Sequence, residues 1–354
     1  MAPSLLAARI PKIHLHCHLE GTLRGATFVE FADKHGVALR YRPSPALRMA
    51  EERPSPALQM TEVYSFDGLG EFLYLFAAVS RSLREPQDYA RLAREFVEDA
   101  LRENVIYGEL FVSPSVWTFF NPELNVREVM EAIVGELRAA QPDATFRLLT
   151  DLTRNFGVES AMAGANAAAA MTDLDVIGIG LGGDEARFPA ALYAEAFAFA
   201  RAAGLHCVAH AGESGSPQSV RDAVEQLGAQ RIGHGIAALL DPGVVDLLAR
   251  KRVPLEICPT SNRLTGAQLP EHPQPYADLD RLGCIVTIDA DDPAIFETTI
   301  GAEYALVEHS MGSAALERFV RNAIEASFAS PGEKAALAAQ VDRALAELRA
   351  ESRS

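Results

Sequence analysis

Basic residues are scarce in this sequence. Its 354 residues include 32 Lys and Arg against 48 Asp and Glu, which gives a formal net charge of -16. Proteins that bind phosphate backbones or anionic membranes depend on clustered basic side chains. We therefore expect neither nucleic acid nor a membrane as a partner. The four lysines are spread along the chain at Lys12, Lys34, Lys251 and Lys334.

Cysteines and long apolar runs are scarce as well. The chain has four cysteines and no CxxC pair, so neither a disulfide framework nor a cysteine-based zinc site is expected. No apolar run approaches the roughly 18 residues that a membrane span needs, and the first residues do not form a secretory leader. These absences predict reduced thiols in a cytoplasmic protein. The cysteines are Cys17, Cys207, Cys258 and Cys284.

An apolar fraction of 49% can bury one large core, and the length suits one extended α/β barrel as well as two ordinary domains. The strand pattern that follows favours a single domain over residues 1–354. Short runs rich in Val, Ile and Leu alternate with Ala/Leu/Glu/Arg stretches of helical period, which is typical of βα units around a parallel sheet. Eight such runs predict the α/β class and a (β/α)8 TIM barrel, with extra helices after strand 1 and at the C-terminus. The predicted strands are 12–18, 105–113, 146–152, 175–181, 205–210, 231–235, 254–259 and 283–289.

The predicted helices follow from apolar residues at intervals of three and four. Residues 85–104 and 189–204 show this spacing, and the second stretch ends at Gly204, a common helix terminator. From Phe296 onward the chain is expected to be helical and to cap the barrel. The segment RPSPALRM at 42–49 recurs as RPSPALQM at 53–60, which we interpret as a local duplication in a surface loop, since two copies are too few for a solenoid.

Three histidines occur at every second position of the first strand, in the stretch IHLHCHLEG. Residues i, i+2 and i+4 of a strand share one face, so His14, His16 and His18 are expected to point in the same direction. Strand histidines also serve as ordinary core residues. The spacing alone therefore leaves open whether any adjacent pair binds a metal.

Polar residues also follow other predicted strands, where the active sites of such barrels are found. Three imidazoles and a carboxylate from these positions suit Zn²⁺ and leave one position open for water, whose pKa zinc can lower to about 7. The strand-end residues are His16 and His18 after strand 1, Gly183 and Asp184 after strand 4, His210 and Glu213 after strand 5, His234 after strand 6, and Asp291 and Asp292 after strand 8.

Five motifs occur in a fixed order: PKIHLHCHLEG, GGDE, HAGE, RIGHG and ADDP. With them the chain resembles the adenosine deaminase branch of the metal-dependent amidohydrolases, from Pro11 to about Phe296. The resemblance implies one Zn²⁺ per chain. It also implies that Glu213 protonates N1 of a purine while His234 and Asp291 prepare the attacking water. The implied zinc ligands are His16, His18, His210 and Asp291, and His14 is left with a structural or supporting role.

The same resemblance implies the residues that bind the purine. Gly183 would present its backbone amide to N3, Asp292 would meet N7, and Glu20 would face the ribose 5′ position. The helix that contains FDGLGEFLYLF would cover the site with apolar side chains. The side chains expected in this cover are Leu69, Phe72 and Phe76.

The substrate implied is a purine nucleoside that reacts with water, either adenosine or a 5′-modified adenosine such as 6-amino-6-deoxyfutalosine, a menaquinone precursor. Glu20 stands where adenosine-specific relatives usually have Asp, which favours a modified 5′ position. Arg263 is then a candidate partner for a substrate carboxylate. The alternatives are an adenine deaminase, an amidohydrolase of cyclic amides, and a zinc-binding member without activity. The oligomeric state stays open.

Overall fold

The computed structural model describes residues 5–38 and 63–351. Eight parallel strands form one sheet in the order β1 to β8, so each strand pairs with the next along the chain. Strands β8 and β1 approach each other through a parallel bridge between Cys17 and Asp291, which nearly closes the barrel. The predicted barrel is confirmed. The strands are β1 Lys12–His18, β2 Val105–Val112, β3 Thr145–Thr153, β4 Val176–Gly182, β5 His206–Ala211, β6 Arg231–His234, β7 Leu255–Ile257 and β8 Val286–Ile288.

The last two strands are shorter than predicted because turn residues limit them. Pro259 begins the helix that follows β7, and a proline at the first helical position cannot extend a strand ladder. Gly283 has a φ of 85°, which places it in a turn before β8. Each of these strands therefore keeps three residues.

Helices surround the sheet, including those predicted after β1 and at the C-terminus. Among the described residues between β1 and β2 there are three α-helices, and the predicted stretch 85–104 forms the last of them. The duplicated segment 42–60 lies outside the described residues. The helices are α1 Leu5–Arg9, α2 Gly25–His35, α3 Gly68–Ser82, α4 Pro86–Arg102, α5 Pro114–Phe120, α6 Val126–Arg138, α7 Gly157–Ala169, α8 Ala194–Ala202, α9 Pro217–Asp222, α10 Pro242–Lys251, α11 Pro259–Leu264, α12 Pro275–Arg281, α13 Ile300–Met311, α14 Ser313–Ala326 and α15 Pro331–Glu351.

The C-terminal helices close the N-terminal end of the barrel. Helix α14 packs against β8 and β1, and Phe328, just after it, contacts a small apolar cluster inside the barrel. The guanidinium of Arg231 lies 3.9 Å from the centre of the Phe328 ring. Apolar and aromatic side chains thus fill this end, which leaves the opposite, C-terminal end for a cavity. The cluster consists of Phe111, Leu149 and Val208.

The cysteines and the helices can be compared with what the sequence predicted. All four cysteines are buried and carry free thiols. In residues 5–38 and 63–351 we find no helix with the length and apolar character needed to cross a bilayer.

Candidate active site

Three histidines and an aspartate meet at the C-terminal end of the barrel. His16 and His18 come from β1, His210 from β5, and Asp291 from the segment after β8, and one ligand atom of each lies within 4.8 Å of the others. The two Nε2 atoms of His18 and His210 are 3.1 Å apart. Asp291 Oδ1 is 3.4 Å from Nε2 of His16 and 3.4 Å from Nε2 of His18. All four residues are buried.

These distances fit a small divalent cation. A tetrahedral site with metal to nitrogen bonds of about 2.0 Å places its ligand atoms roughly 3.3 Å apart. The buried Nε2 atom of His16 has no hydrogen-bond partner, as expected of an atom that binds a metal. Burial lowers the pKa of His18 to about 3, which keeps its imidazole neutral and able to donate a lone pair. Imidazole and carboxylate ligands together suit Zn²⁺.

A carboxylate outside this group orients His16. The Nδ1 atom of His16 donates to Glu256 Oε2 across 2.8 Å, so Nε2 faces the other ligands. Burial alone would lower the pKa of His16, but the adjacent carboxylates of Asp291 and Glu256 outweigh it and raise this pKa well above its usual value. The four ligands therefore surround a point where positive charge is favoured.

His14 lies outside the metal-ligand group. Its Nε2 atom accepts a hydrogen bond from the Ala290 backbone across 3.2 Å, and it lines a separate cavity from His18. The pairing of β1 with β2 shifts register between His14 and Cys17, which interrupts the regular alternation expected from the sequence. The expectation that all three histidines act from one face is therefore wrong for His14.

His234 and Asp291 both adopt the left-handed backbone region, with φ of 59° and 64°. Such conformations are uncommon outside glycine and are concentrated at functional sites. The Nδ1 atom of His234 donates to Asn262 Oδ1 across 2.9 Å, so its Nε2 atom faces the cluster, 3.9 Å from Asp291 Oδ2. Ser261 donates to the same Asp291 oxygen across 2.6 Å. His234 therefore directs its Nε2 atom toward the candidate metal ligands.

Glu213 lies next to this imidazole. Its Oε2 atom is 3.7 Å from His234 Nε2, and 14% of its side chain is exposed. Burial raises the pKa of Glu213, which favours a protonated carboxyl able to donate a proton. Glu185 holds the loop in place, because its carboxylate accepts from three consecutive backbone amides at 2.7 to 2.8 Å. The three amides belong to Gly212, Glu213 and Ser214.

Asp292 is buried beside the metal ligands, and its Oδ1 atom has no hydrogen-bond partner. Burial and the neighbouring charge of Asp291 raise the pKa of Asp292 well above its usual range. A protonated Asp292 can donate to an acceptor on a substrate, as expected for purine N7. Gly21 makes room for it, because a Cβ atom at Gly21 would lie 1.9 Å from Asp292 Oδ1.

A cavity of about 280 Å³ opens above the cluster. Its inner wall is polar, whereas its outer wall is apolar and aromatic, and no Lys or Arg of the described chain lines it. Gly183 lines it with a φ of 98°, and a Cβ atom there would lie 2.5 Å from Asn155 Oδ1. Helix α3 covers one side. The outer wall includes Leu69, Phe72, Leu73, Phe76, Val116, Phe119, Phe120 and Phe156.

Glu20 does not face this cavity. It is fully buried, and its Oε1 atom accepts from Trp117 Nε1 across 2.7 Å and from the Ser113 backbone across 2.8 Å. Burial raises the pKa of Glu20. Among the described residues that line the cavity, Glu20 is absent. Its Oε1 atom is therefore engaged by Trp117 and Ser113, whereas its Oε2 atom is buried without a hydrogen-bond partner.

The structure adds site residues that the sequence analysis did not identify. Asp151, Thr153 and Asn155 line the cavity from the end of β3, and Glu256 and Asn262 act from β7 and the helix after it. The same strand-end rule applies to β3 and β7 and could have indicated them. Arg263, by contrast, lines a different cavity of about 830 Å³ with Tyr276 and His309.

Comparison with known proteins gives one consistent result. A family model described as adenosine deaminase matches residues 11–344. Adenine deaminase of Cupriavidus necator is 34% identical over 338 residues, which cover 94% of this chain and 92% of that protein. An amidohydrolase of Burkholderia ambifaria with bound Zn superposes with a TM-score of 0.83 at 27% identity, covering 98% of this chain and 94% of that one.

A plant enzyme has a similar structure. The N6-methyl-AMP deaminase of Arabidopsis thaliana superposes with a TM-score of 0.80 at 28% identity, covering 96% of this chain and 98% of that one. The match of the family model spans nearly the whole chain and includes all four candidate metal ligands. The chain therefore belongs to the adenosine deaminase family.

Proposed function

We propose that this chain hydrolyses the 6-amino group of an adenosine whose 5′ position is modified, releasing ammonia and leaving a 6-oxopurine. The observation that supports this proposal best is the division of the cavity into a polar inner wall and an aromatic outer wall. The inner wall suits a purine ring edge, and the outer wall suits an apolar substituent beyond the ring. Hydrolytic deamination of aminopurines is the chemistry of the family.

The metal in this proposal is one Zn²⁺ per chain, held by His16, His18, His210 and Asp291. The fit rests on the convergence of their ligand atoms and on the unpartnered Nε2 of His16. When bound, zinc acts as a Lewis acid that makes a water molecule nucleophilic at neutral pH.

The protein residues then move and hold protons. Addition of water to C6 breaks the aromaticity of the purine, so a proton delivered to N1 by Glu213 lowers the barrier. His234, whose Nε2 faces the cluster, orients the attacking water and accepts its proton. Asp292 donates to N7, since its raised pKa keeps it protonated. One proton of the water leaves with the amino group as ammonia, and the other passes from the C6 hydroxyl to Glu213 as the 6-oxo group forms.

The residues that line the cavity bear on the 5′ substituent of the substrate. Because Glu20 is not among the described residues that line the cavity, a ribose 5′ hydroxyl inside it would lack the carboxylate partner that the sequence suggested. No Lys or Arg of the described residues lines the cavity, which disfavours a nucleotide such as the one named for the plant relative. An apolar group on the 5′ carbon would instead contact the aromatic rings on the outer wall. Leu69, Phe72 and Phe76 of α3 would cover it.

Two more specific substrates remain to be compared. Adenine is the second candidate, since the Cupriavidus necator relative is named for it and the base needs no 5′ partner. Aminodeoxyfutalosine stays a prediction. Its aromatic end would match the aromatic outer wall of the cavity. Arg263, however, lines the other cavity and gives its carboxylate no support in this structure.

The test is the deamination of a substrate panel by zinc-loaded protein. The loss of the 6-aminopurine absorbance and the release of ammonia measure the reaction. The panel contains adenine, adenosine, 5′-deoxyadenosine, 5′-methylthioadenosine and aminodeoxyfutalosine. A higher kcat/KM for any 5′-modified nucleoside than for adenosine and adenine supports the proposal. A preference for adenine supports the second candidate, and a preference for adenosine over every modified form contradicts the proposal.

A further inference from the structure

Asp151 lies at the end of β3 and faces the inside of the barrel, where β4 leaves space for it. A Cβ atom on Gly180 would lie 2.8 Å from Asp151 Oδ1, and one on Gly182 would lie 2.7 Å from Oδ2. Both glycines therefore allow the carboxyl group to occupy this position. Any larger residue at either site would displace it.

The carboxyl group has no partner within the described protein. Its Oδ1 atom is buried without a hydrogen bond, and only 6% of the residue is exposed. The nearby guanidinium of Arg154 donates instead to the carbonyls of Phe188 and His210, at 2.9 and 2.7 Å. A buried carboxyl group that makes no hydrogen bond reduces stability and calls for a functional explanation.

The position of Asp151 suggests that explanation, because it lines the same cavity as Gly183, His210 and Glu213. Burial and the charge of Glu20 raise its pKa to about 8, so at neutral pH the group can both donate and accept a hydrogen bond. Asp151 thus offers a hydrogen-bonding group at the edge of the cavity formed by β3 and β4.

We propose that Asp151 determines substrate specificity by hydrogen bonding to the purine edge that contains N3 and N9. This inference rests on the proposed function, in which C6 faces the metal ligands, N1 faces Glu213 and N7 faces Asp292. The remaining edge then faces β3 and β4. The carboxyl group shares N3 with the Gly183 backbone amide as a second donor, and it accepts from a donor on the N9 side, which is N9–H in a free base and the 2′ hydroxyl in a nucleoside.

The test compares Asp151→Ala with Asp151→Asn, whose amide keeps one donor and one acceptor. Asp143→Ala is the matched control, since Asp143 is an exposed carboxylate in the loop before the same strand. Binding of hypoxanthine and inosine to zinc-loaded protein is measured by calorimetry, and kcat/KM is measured on adenine, 9-methyladenine, adenosine and 2′-deoxyadenosine. Thermal unfolding of each variant reports on the fold.

We expect Asp151→Ala to lower 6-oxopurine affinity and kcat/KM by about tenfold or more, with Asp151→Asn retaining most of both. The Tm of Asp151→Ala is expected to equal or exceed that of the wild type, because an unpartnered buried group is removed. A purely structural residue would show the opposite, with a lower Tm and unchanged binding. A larger loss on adenine than on 9-methyladenine identifies N9–H as the partner, and a larger loss on adenosine than on 2′-deoxyadenosine identifies the 2′ hydroxyl.

Three results separate the two proposals. If the wild type deaminates the panel and Asp151→Ala stays within about twofold in both binding and kcat/KM, the role of Asp151 is overturned. If the wild type binds 6-oxopurines through Asp151 but deaminates nothing, the proposed function fails and the contact stands. If the wild type neither binds nor deaminates, both proposals are overturned.

Discussion

Glu256 links a metal ligand to a buried arginine. Its Oε2 atom accepts from His16 Nδ1 across 2.8 Å, and its Oε1 atom pairs with Arg231 Nε. Arg231 also pairs with Glu109, whose Oε2 lies 2.6 Å from Nη2. All three charged groups are buried, so each depends on its partners to compensate for the solvation it has lost. The orientation of His16 is therefore coupled to an ion-pair network inside the barrel.

The first prediction concerns Glu256→Gln. A glutamine can accept from His16 only by turning its amide nitrogen toward the Arg231 donor, so one of the two contacts is lost. We expect zinc affinity to fall by about 10- to 100-fold, the range seen when residues that orient metal ligands are changed. Zinc competition with a chromophoric chelator measures this loss without relying on activity.

Glu109→Gln provides the matched control, because it removes one charge from the same arginine but leaves His16 untouched. Its zinc affinity should stay close to that of the wild type. Equal losses in the two variants would show that the network acts through general stability rather than through His16. Unchanged affinity in Glu256→Gln would contradict the orienting role.

The second prediction concerns Gly21→Ala. The added Cβ atom would lie 1.9 Å from Asp292 Oδ1, and the backbone cannot yield easily because the Ala294 amide donates to the Gly21 carbonyl across 3.0 Å. We expect Asp292 to be displaced, with a loss of about 1 to 3 kcal/mol in the free energy of unfolding, typical of overpacking. Urea unfolding and kcat/KM on the best substrate check both effects.

Gly135→Ala in α6 is the control for this change. A Cβ atom there has no neighbour within 4 Å, so the variant should be as stable as the wild type or more stable by up to about 1 kcal/mol. If Gly21→Ala behaves like Gly135→Ala in both measurements, the close packing of Gly21 against Asp292 has no functional consequence.

The sequence was sufficient to predict the barrel and the convergence of four candidate metal ligands. Alternating apolar and helical stretches indicate βα units, and in such a barrel the strand ends converge wherever they occur in the chain. His210 and Asp291 could therefore be grouped with His16 although they are far apart in sequence. Periodicity and the topology of a parallel sheet group the strand-end residues, and the resemblance to the family implied which four of them would bind a metal.

Side-chain direction was harder to predict because it depends on distant contacts. Glu20 is directed away from the cavity by Trp117, a residue 97 positions further along the chain. His14 is separated from the other histidines by a register shift that no local pattern reveals. Asp151 has room only because Gly180 and Gly182 lie on the next strand. Such relationships require the packed structure.

The third prediction tests how Glu213 is positioned. Three backbone amides donate to the Glu185 carboxylate, and Glu185→Gln replaces one of its accepting oxygens with an amide nitrogen, which is a donor. The loop that holds Glu213 should therefore lose its fixed geometry. We expect kcat to fall about tenfold or more, with a smaller change in KM, because proton delivery to N1 matters most in the transition state. Glu195→Gln, an exposed exchange on α8, controls for the loss of charge. Equal kcat values in the two variants would overturn the positioning role.

The fourth prediction concerns Lys12, at the N-terminal end of the barrel. Lys12 is fully buried, and its Nζ atom donates to the carbonyls of Ala8 and Ile10, both at 3.2 Å. Burial outweighs the charge of Glu103 and lowers the pKa of Lys12 from 10.5 to about 8. Between these two values the unfolded chain binds more protons than the folded one, so the stability of the wild type should rise with pH in this window.

Lys12→Met removes this titration while keeping a side chain of similar length. The free energy of unfolding of the wild type minus that of the variant should increase by about 1.4 kcal/mol per pH unit between pH 8 and pH 10.5. Below pH 7 this difference should be constant. Urea unfolding at a series of pH values measures it. Lys251→Met exchanges the same residue types at an exposed position and serves as the matched control. If the difference between the wild type and Lys12→Met does not change with pH, the ammonium group reaches water despite its burial. The packing of α1 over the barrel must then open more readily than its contacts indicate.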